Sequence, residues 1–322
     1  MRYIGKDIAQ ALDRVVKEDQ RRDRWWVADQ YDLKRTAEGK RCIVSPYSWP
    51  HGGEQPVWFD YRPLVSHPHL FLTFARLAEG MDEWPTTGSS PESDHVIILD
   101  SRLPPETDNN TEIALGWAED YGVLGLTRRE GSMADPRGGE GDTVEAFCEE
   151  AKWAYRMLSL YEAATDPNEV DANLADAYAP EEWQEGVTLK DVEYVVRRRA
   201  LNDVLYIVEE KVGEYSIPAL YRDGDRIVQG WRFDSLLGAM WLQMMWLVTS
   251  KDAPRRCAGP GCNRIISYEQ PQQPQEWGDQ PAAPWKKNDR SRGYRTRKDK
   301  KFCSDTCRVK NWQHKQKRKS RA

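Results

Sequence analysis

Apolar residues recur at helical spacing along much of the chain. The clearest stripe alternates by three and four residues and consists of Val144, Phe147, Ala151, Ala154, Leu158 and Tyr161. This period is typical of an amphipathic helix with one face in a protein core. Related patterns predict further helices over residues 6–33, 67–79, 111–121, 188–212 and 236–248. The last segment is apolar on every side, which predicts a buried core helix.

Short segments of strand-like composition lie between the predicted helices. Residues 41–48 and 57–61 contain β-branched and aromatic residues and are separated by a turn-rich segment. Two further apolar segments flank Asp223 and Gly224, a pair that favours a tight hairpin turn. Residues 270–285 are rich in Pro and Gln, which predicts an extended insertion. The sequence therefore predicts a mainly α protein with short β-hairpins.

Charge is distributed unevenly along the 322 residues. The chain has 47 Lys and Arg residues against 52 Asp and Glu, a net charge of −5. Residues 286–322 hold 16 Lys or Arg and three acids, so this segment carries +13 and the preceding part −18. Such asymmetry indicates an appended segment that binds a polyanion. A solvated basic tail, or a tail folded back on the acidic body, is the alternative.

The sequence does not predict contact with a membrane. Residues 1–20 carry charges throughout and lack an apolar signal-peptide segment. The apolar residues 236–248 are fewer than the roughly 20 that span a bilayer. We therefore expect a cytoplasmic protein. In a reducing compartment, clustered cysteines indicate a metal site rather than disulfides.

Four of the six cysteines form two close pairs near the carboxyl end. Cys257 and Cys262 make the first pair, and Cys303 and Cys307 make the second. Four thiolates suit the tetrahedral coordination that Zn²⁺ prefers, and they leave no open position for a catalytic water. The pattern predicts one structural Zn²⁺ with these cysteines as metal ligands. Four unrelated buried cysteines are the alternative.

The residues around the two cysteine pairs predict how the site is built. The first pair spans the glycine-rich CAGPGC, which suits a tight knuckle. Ser304 and Asp305 suit the start of a helix that carries the last ligand. A knuckle, a hairpin or loop and such a helix make a treble clef. We therefore predict a helical N-terminal body over residues 1–250 and a C-terminal treble-clef zinc finger over residues 251–322. Cys42 and Cys148 stand alone, which predicts buried packing.

Two segments resemble the CGNR-type zinc-finger proteins common in actinobacteria. They are RRCAGPGCNRIIS and KFCSDTCRVKNWQHKQKRK, preceded by FDSLLGAMWLQMMWLV. Upstream helical segments, such as FCEEAKWAYRMLSLYEA, are similar to the region that accompanies this finger. The resemblance implies a treble-clef zinc fold and a role in nucleic-acid binding or transcription regulation. The Gly-Asn-Arg that names the family is replaced here by Arg308, Val309 and Lys310.

The basic segment is predicted to contact the phosphates of DNA or RNA, with counterion release as the driving force. Val309 and Trp312 are expected to dock the start of its helix on the zinc knuckle, and Trp312 also offers a stacking surface. The candidate nucleic-acid-binding residues are Arg292, Arg295, Arg297, Lys298, Lys300, Lys301, Arg308, Lys310, Trp312, Lys315, Lys317, Arg318 and Lys319.

Two other functional classes compete with nucleic-acid binding. An enzyme is not predicted, because the sequence has no phosphate-binding glycine loop or nucleophile motif. His67 and His69 could form a metal pair, but a helix-entry turn is the favoured interpretation. The remaining alternative is a protein-interaction or ligand-sensing module. In it the helical body binds an unknown protein or small molecule and the finger is structural.

Overall fold

The computed structural model describes residues 25–28, 30–44, 58–82, 107–126, 141–166, 172–179, 182, 187–223, 226–233, 235–262, 264–268 and 301–319. These residues are mostly helical, as the sequence predicts. A 3₁₀ helix covers Arg76–Gly80. The α-helices are α1 (Pro63–Ser66), α2 (Leu70–Ala75), α3 (Asp108–Tyr121), α4 (Val144–Ala164), α5 (Ala172–Tyr178), α6 (Leu189–Tyr215), α7 (Leu236–Thr249) and α8 (Asp305–Lys319).

Short antiparallel strands accompany the helices and form small sheets. The strands are β1 (Trp25–Ala28), β2 (Asp32–Arg35), β3 (Arg41–Val44), β4 (Trp58–Tyr61), β5 (Asp142–Thr143), β6 (Ser216–Asp223), β7 (Arg226–Phe233), β8 (Arg255–Arg256) and β9 (Ile265–Ser267). Strand β1 pairs with β4, β2 and β5 flank β3, β6 pairs with β7, and β8 pairs with β9. The predicted hairpin around Asp223 is confirmed, since Asp223 faces Arg226 across β6 and β7.

The core lies where α2, α4 and α7 meet. Phe71 of α2 packs on Trp241 of α7 with ring centroids 5.4 Å apart, and Phe74 packs on Phe147 of α4 at 5.5 Å. The buried Gln243 interrupts the apolar α7, but its amide accepts from the Phe71 N–H and donates to a backbone carbonyl. Helix α7 is therefore the buried core helix that its composition predicts. None of the described helices is long and apolar enough to cross a membrane.

Polar residues begin the main helices at the predicted places. The Ser235 hydroxyl accepts from the Gly238 N–H at the start of α7. The Thr143 hydroxyl accepts from the Ala146 N–H at the start of α4. Each side chain satisfies a backbone donor that has no partner within its helix. Helix α3 ends at Tyr121, as predicted. The next residue, Gly122, has φ of +88°, a backbone conformation that favours glycine.

The helix predicted over residues 6–33 is wrong at its described end. Residues 25–28 form β1, and β2 begins at residue 32. Strand β1 pairs with β4, and the indole N–H of the buried Trp25 donates to the Val123 carbonyl at 3.0 Å. The Tyr31 hydroxyl accepts from the Ala28 N–H at 3.0 Å. Aromatic packing and pairing with a distant strand therefore override the local helical pattern.

Two of the three consecutive arginines in α6, Arg197 and Arg199, have structural contacts, whereas Arg198 is exposed. The Arg197 guanidinium pairs with Glu193 and donates to the carbonyl at the end of α4. The Arg199 guanidinium pairs with Glu182 and donates to the Tyr178 carbonyl of α5. These contacts tie α6 to α4 and α5.

Candidate metal centre

The structure brings together the four cysteines that the sequence predicts as metal ligands. Cys257 follows β8, Cys262 precedes β9, Cys303 precedes α8, and Cys307 lies in the first turn of α8. The four Sγ atoms all lie within 4.8 Å of one another. Neighbouring sulfurs are 3.7 Å apart for Cys262 and Cys303, and 3.4 Å for Cys303 and Cys307. A tetrahedral zinc with Zn–S bonds of about 2.3 Å places its sulfurs roughly 3.8 Å apart. The cluster can therefore hold a metal ion.

Two glycines shape the knuckle between the first pair of cysteines. A Cβ at Gly259 would lie 2.9 Å from the Cys307 Cβ and 3.2 Å from its Sγ. Only glycine therefore lets the knuckle approach α8 this closely. Gly261 has φ of +68°, a conformation that side chains with a Cβ disfavour. Gly261 is the third residue of a tight turn, in which the Cys262 N–H donates to the Gly259 carbonyl at 3.0 Å.

Backbone hydrogen bonds hold the knuckle against the start of α8. The Sγ of Cys257 accepts from the Gly259 N–H at 3.4 Å and from the Cys303 N–H at 3.3 Å. The Ala258 N–H donates to the Lys301 carbonyl at 2.8 Å. N–H···S bonds orient thiolates and offset part of their negative charge, as outer-shell donors do at metal sites. Two segments separated by forty residues thus become one site.

Two of the four cysteine thiols, Cys303 and Cys262, ionise less readily than a free thiol. Burial, followed by hydrogen bonds with the three neighbouring thiols, raises the pKa of Cys303 to about 12. Burial also raises the pKa of Cys262. At Cys307 burial opposes ionisation, but hydrogen bonds from Ser304 and the other thiols lower the pKa. A metal ion supplies the positive charge that favours four thiolates and releases their protons on binding.

A largely buried carboxylate joins the hairpin formed by β8 and β9, which carries Cys257 and Cys262, to the helical body. Glu162 of α4 pairs with Arg76 at 2.9 Å and accepts from the Ile265 N–H of β9 at 2.6 Å. The Arg256 guanidinium of β8 donates to the Thr165 hydroxyl at 2.5 Å. Burial raises the pKa of Glu162, whereas the Arg76 charge lowers it. The hairpin is thereby held to the end of α4 by charged hydrogen bonds.

The same hairpin also contributes apolar side chains to the main core. Ile265 and Tyr268 are buried within the cluster that includes α2, α4 and α7. The Tyr268 ring also packs edge-on against His69, with centroids 5.0 Å apart. His67 packs edge-on against Tyr121 instead. Each histidine of the HPH segment thus contacts a different aromatic ring near α2.

Sequence reasoning missed the contact between the hairpin and the body. The available signal was Glu162, which lies four residues after Leu158 on the apolar stripe of α4. A carboxylate on a buried helical face implies a cationic or hydrogen-bonded partner. The sequence does not identify that partner, because Arg76 and Ile265 are far from Glu162 along the chain.

The predicted nucleic-acid-binding residues fall into two groups. Those on or beside α8 whose side chains are described are all exposed: Lys301, Arg308, Lys310, Trp312, Lys315 and Lys317. Arg318 and Lys319 belong to the last turn of α8. Arg292, Arg295, Arg297, Lys298 and Lys300, like the Pro/Gln-rich insertion, lie outside the described residues.

The expected docking of α8 through its apolar residues is wrong. Val309 is 49% exposed and Trp312 is 61% exposed. The helix is held instead by Cys303 and Cys307 and by the backbone contact of Lys301 with Ala258. Most of the length of α8 therefore projects into solvent as a cationic rod.

No protein family, curated protein or solved structure matches the chain. Its function is therefore proposed from the cysteine cluster and from the exposed helix that the cluster anchors.

Proposed function

We propose that this protein binds one structural Zn²⁺ through Cys257, Cys262, Cys303 and Cys307, and uses α8 to bind the phosphates of nucleic acid. The observation that carries the proposal is the position of the cysteine cluster at the first turn of an exposed cationic helix. The metal fixes one end of the helix, and the remaining turns are free to contact a polyanion. A role in regulating transcription, as the CGNR-type resemblance implies, would use this contact.

The order of elements around the cluster supports a treble-clef zinc finger. A knuckle supplies the first two cysteines, β8 and β9 form a hairpin around it, and α8 supplies the last cysteine. Zinc is the metal that four thiolates at these separations suit best. Four protein ligands leave no position for water or substrate, so we propose that the ion stabilises the fold and has no catalytic role.

The charge and exposure of α8 support phosphate binding. Its fifteen residues include six Lys or Arg and one acid, Asp305. The acid lies in the first turn and the cations continue to the last, an order that the helix macrodipole favours. Like charges four residues apart, such as Lys315 and Lys319, repel each other. A phosphate backbone relieves that repulsion and releases its own counterions.

A salt titration of full-length protein tests this function. Affinity for a labelled duplex should fall steeply with salt, with a log–log slope of −3 or steeper. The variant K310Q/K315Q/K317Q should flatten the slope by about 2.7 because three phosphate contacts are lost. The control K190Q/R198Q/K251Q removes three exposed cations from the body and should leave the slope unchanged. A wild-type slope flatter than −3, or equal effects of both variants, would overturn the proposal.

One observation favours a second candidate, a protein-interaction or ligand-sensing module with a structural zinc. The hairpin of β8 and β9, together with the residue that follows it, places Ile265 and Tyr268 in the core of the helical body. The metal would then serve mainly to complete that body. Under this candidate, zinc removal lowers stability, but the full-length protein has no salt-dependent affinity for nucleic acid.

A further inference from the structure

Trp312 lies on the surface of α8 with its indole open to solvent. It is 61% exposed, and Val309, one turn earlier, is 49% exposed. In a helix, residues three and four positions apart are neighbours at about 5–6 Å. Arg308 and Lys315 therefore flank Trp312 on the same face, and both are exposed. The face combines one large aromatic ring with a cation on each side of it.

The cations on this face are available to a ligand. The Arg308 guanidinium pairs with Asp305 at 3.1 Å, with side chains 68% and 87% exposed. An ion pair this exposed contributes little and exchanges easily for a phosphate. The Lys315 ammonium is a point charge on a flexible stem, one turn beyond the indole. A nucleic-acid strand with a base stacked on Trp312 would thus have a cation beside its phosphates on either side of that base.

We infer that α8 binds single-stranded nucleic acid, with an unpaired base stacked on Trp312 and the adjoining phosphates held by Arg308 and Lys315. This inference rests on the proposed function and specifies its ligand. Exposed aromatic rings between cations are the usual means by which proteins bind single strands. Stacking tolerates any base, because every base has a flat π-face.

A duplex cannot use the same ring without a cost. Its bases are already stacked and paired, so an aromatic side chain reaches a base face only by opening a base step. In the major groove the indole would meet base edges instead. Phosphate contacts would remain, so duplex affinity would depend on the cations alone. The stacking contribution is therefore specific to unpaired bases.

Affinity measurements on the zinc-loaded full chain test the inference. The probes are a labelled mixed-sequence DNA 20-mer, the RNA of the same sequence, and the DNA duplex. The variants are W312A, W312L and W312F, with zinc content checked in each. Replacing an exposed ring by Ala should weaken binding of the single strands by about 5- to 150-fold. W312L should lose as much, W312F should retain most of the affinity, and duplex binding should not change.

Other results contradict the inference in distinct ways. Steep salt dependence with equal loss for duplex and single strand on W312A would overturn it and leave the phosphate-binding function standing. Full single-strand affinity in W312L would overturn it too, because an apolar patch for a protein partner tolerates leucine whereas a stacking platform does not. Absence of binding to every probe would overturn both. Similar affinity for the DNA and RNA strands, which differ mainly in the sugar, supports binding through base faces and phosphates.

Discussion

The carboxylate of Glu162 accepts a hydrogen bond of 2.6 Å from the backbone N–H of Ile265. This contact joins the apolar stripe of α4 to the strand that follows Cys262. The same carboxylate pairs with Arg76, whose side chain is only 9% exposed. The hairpin that carries Cys257 and Cys262 is therefore held to the helical body by an ion pair with little exposure to solvent. We expect changes at this pair to affect both the body and the cysteine cluster.

Removal of the Glu162 carboxylate should destabilise the protein strongly. E162A removes the closer of the two carboxylates beside Arg76 and the acceptor of the Ile265 N–H, which should cost about 2 kcal/mol or more. The matched control is E182A, which breaks the partly exposed pair of Glu182 with Arg199. That variant should cost under about 1 kcal/mol. Urea unfolding measures both, and equal costs would contradict the assigned role of Glu162.

Substitution of Gly259 should weaken metal binding. In G259A the new methyl group would lie 2.9 Å from the Cys307 Cβ, so the knuckle or α8 must shift. We expect zinc affinity to fall by at least about tenfold, which corresponds to 1.4 kcal/mol. In G261A no atom obstructs the Cβ, and the positive φ costs roughly 1 kcal/mol of folding stability. Competition with a chromogenic chelator compares the variants, and equal zinc affinities would contradict this account.

Loss of the metal should lower the stability of the helical body. C303S removes one ligand, so zinc should dissociate and the hairpin should loosen. Burial of Ile265 and Tyr268 then weakens, which removes roughly 3 kcal/mol of stability. The control C148A deletes a buried thiol that lies outside the cluster, and zinc content should stay at one per chain. Thermal unfolding followed by helical circular dichroism measures the change. An unchanged transition of the body in C303S would support independent folding of residues 251–322.

Asp142 should make stability depend on pH. Its buried carboxylate accepts from the N–H groups of Leu124, Gly125 and Leu126. Burial raises the pKa to about 6, above the ordinary 3.8, although these hydrogen bonds lower it. A group with a raised folded-state pKa contributes stability that is complete below the unfolded pKa. That contribution is lost as the pH rises through the folded pKa.

The variant D142N isolates this effect. Its amide cannot serve all three donors, so it should be less stable than wild type at acidic pH. From about pH 5 to 7.5 the wild type should lose roughly 1.4 kcal/mol relative to D142N, because only the carboxyl ionises. Urea unfolding at both pH values measures the difference. A constant difference, or one that grows with pH, would contradict the raised pKa.

The helices could be predicted from the sequence where apolar periodicity and local caps agree. Helix α4 begins at Val144, the first residue of its stripe, and α7 begins after the capping Ser235. Strand β1 could not be predicted, because it pairs with residues 30 to 36 positions away. The charged residues before β1 continue a helical pattern, but pairing with the distant strand β4 decides the conformation of residues 25–28.

The candidate site was predictable in its ligands but not in its surroundings. Two close cysteine pairs imply a shared ion, because each pair is already brought together by local geometry. The docking of Ile265 into the body depends on tertiary contacts that no local pattern encodes. The exposure of Trp312 could not be predicted from the sequence either. An apolar residue close to a knuckle is expected to pack on it, and only the tertiary structure shows that α8 projects into solvent.

X-ray absorption at the zinc edge of the full-length protein tests the central claim most directly. If the four cysteines hold one zinc that anchors α8, the spectrum should show four sulfur neighbours at about 2.3 Å, with one zinc per chain. Oxygen or nitrogen atoms in the ligand shell, or a zinc content well below one per chain, would contradict it.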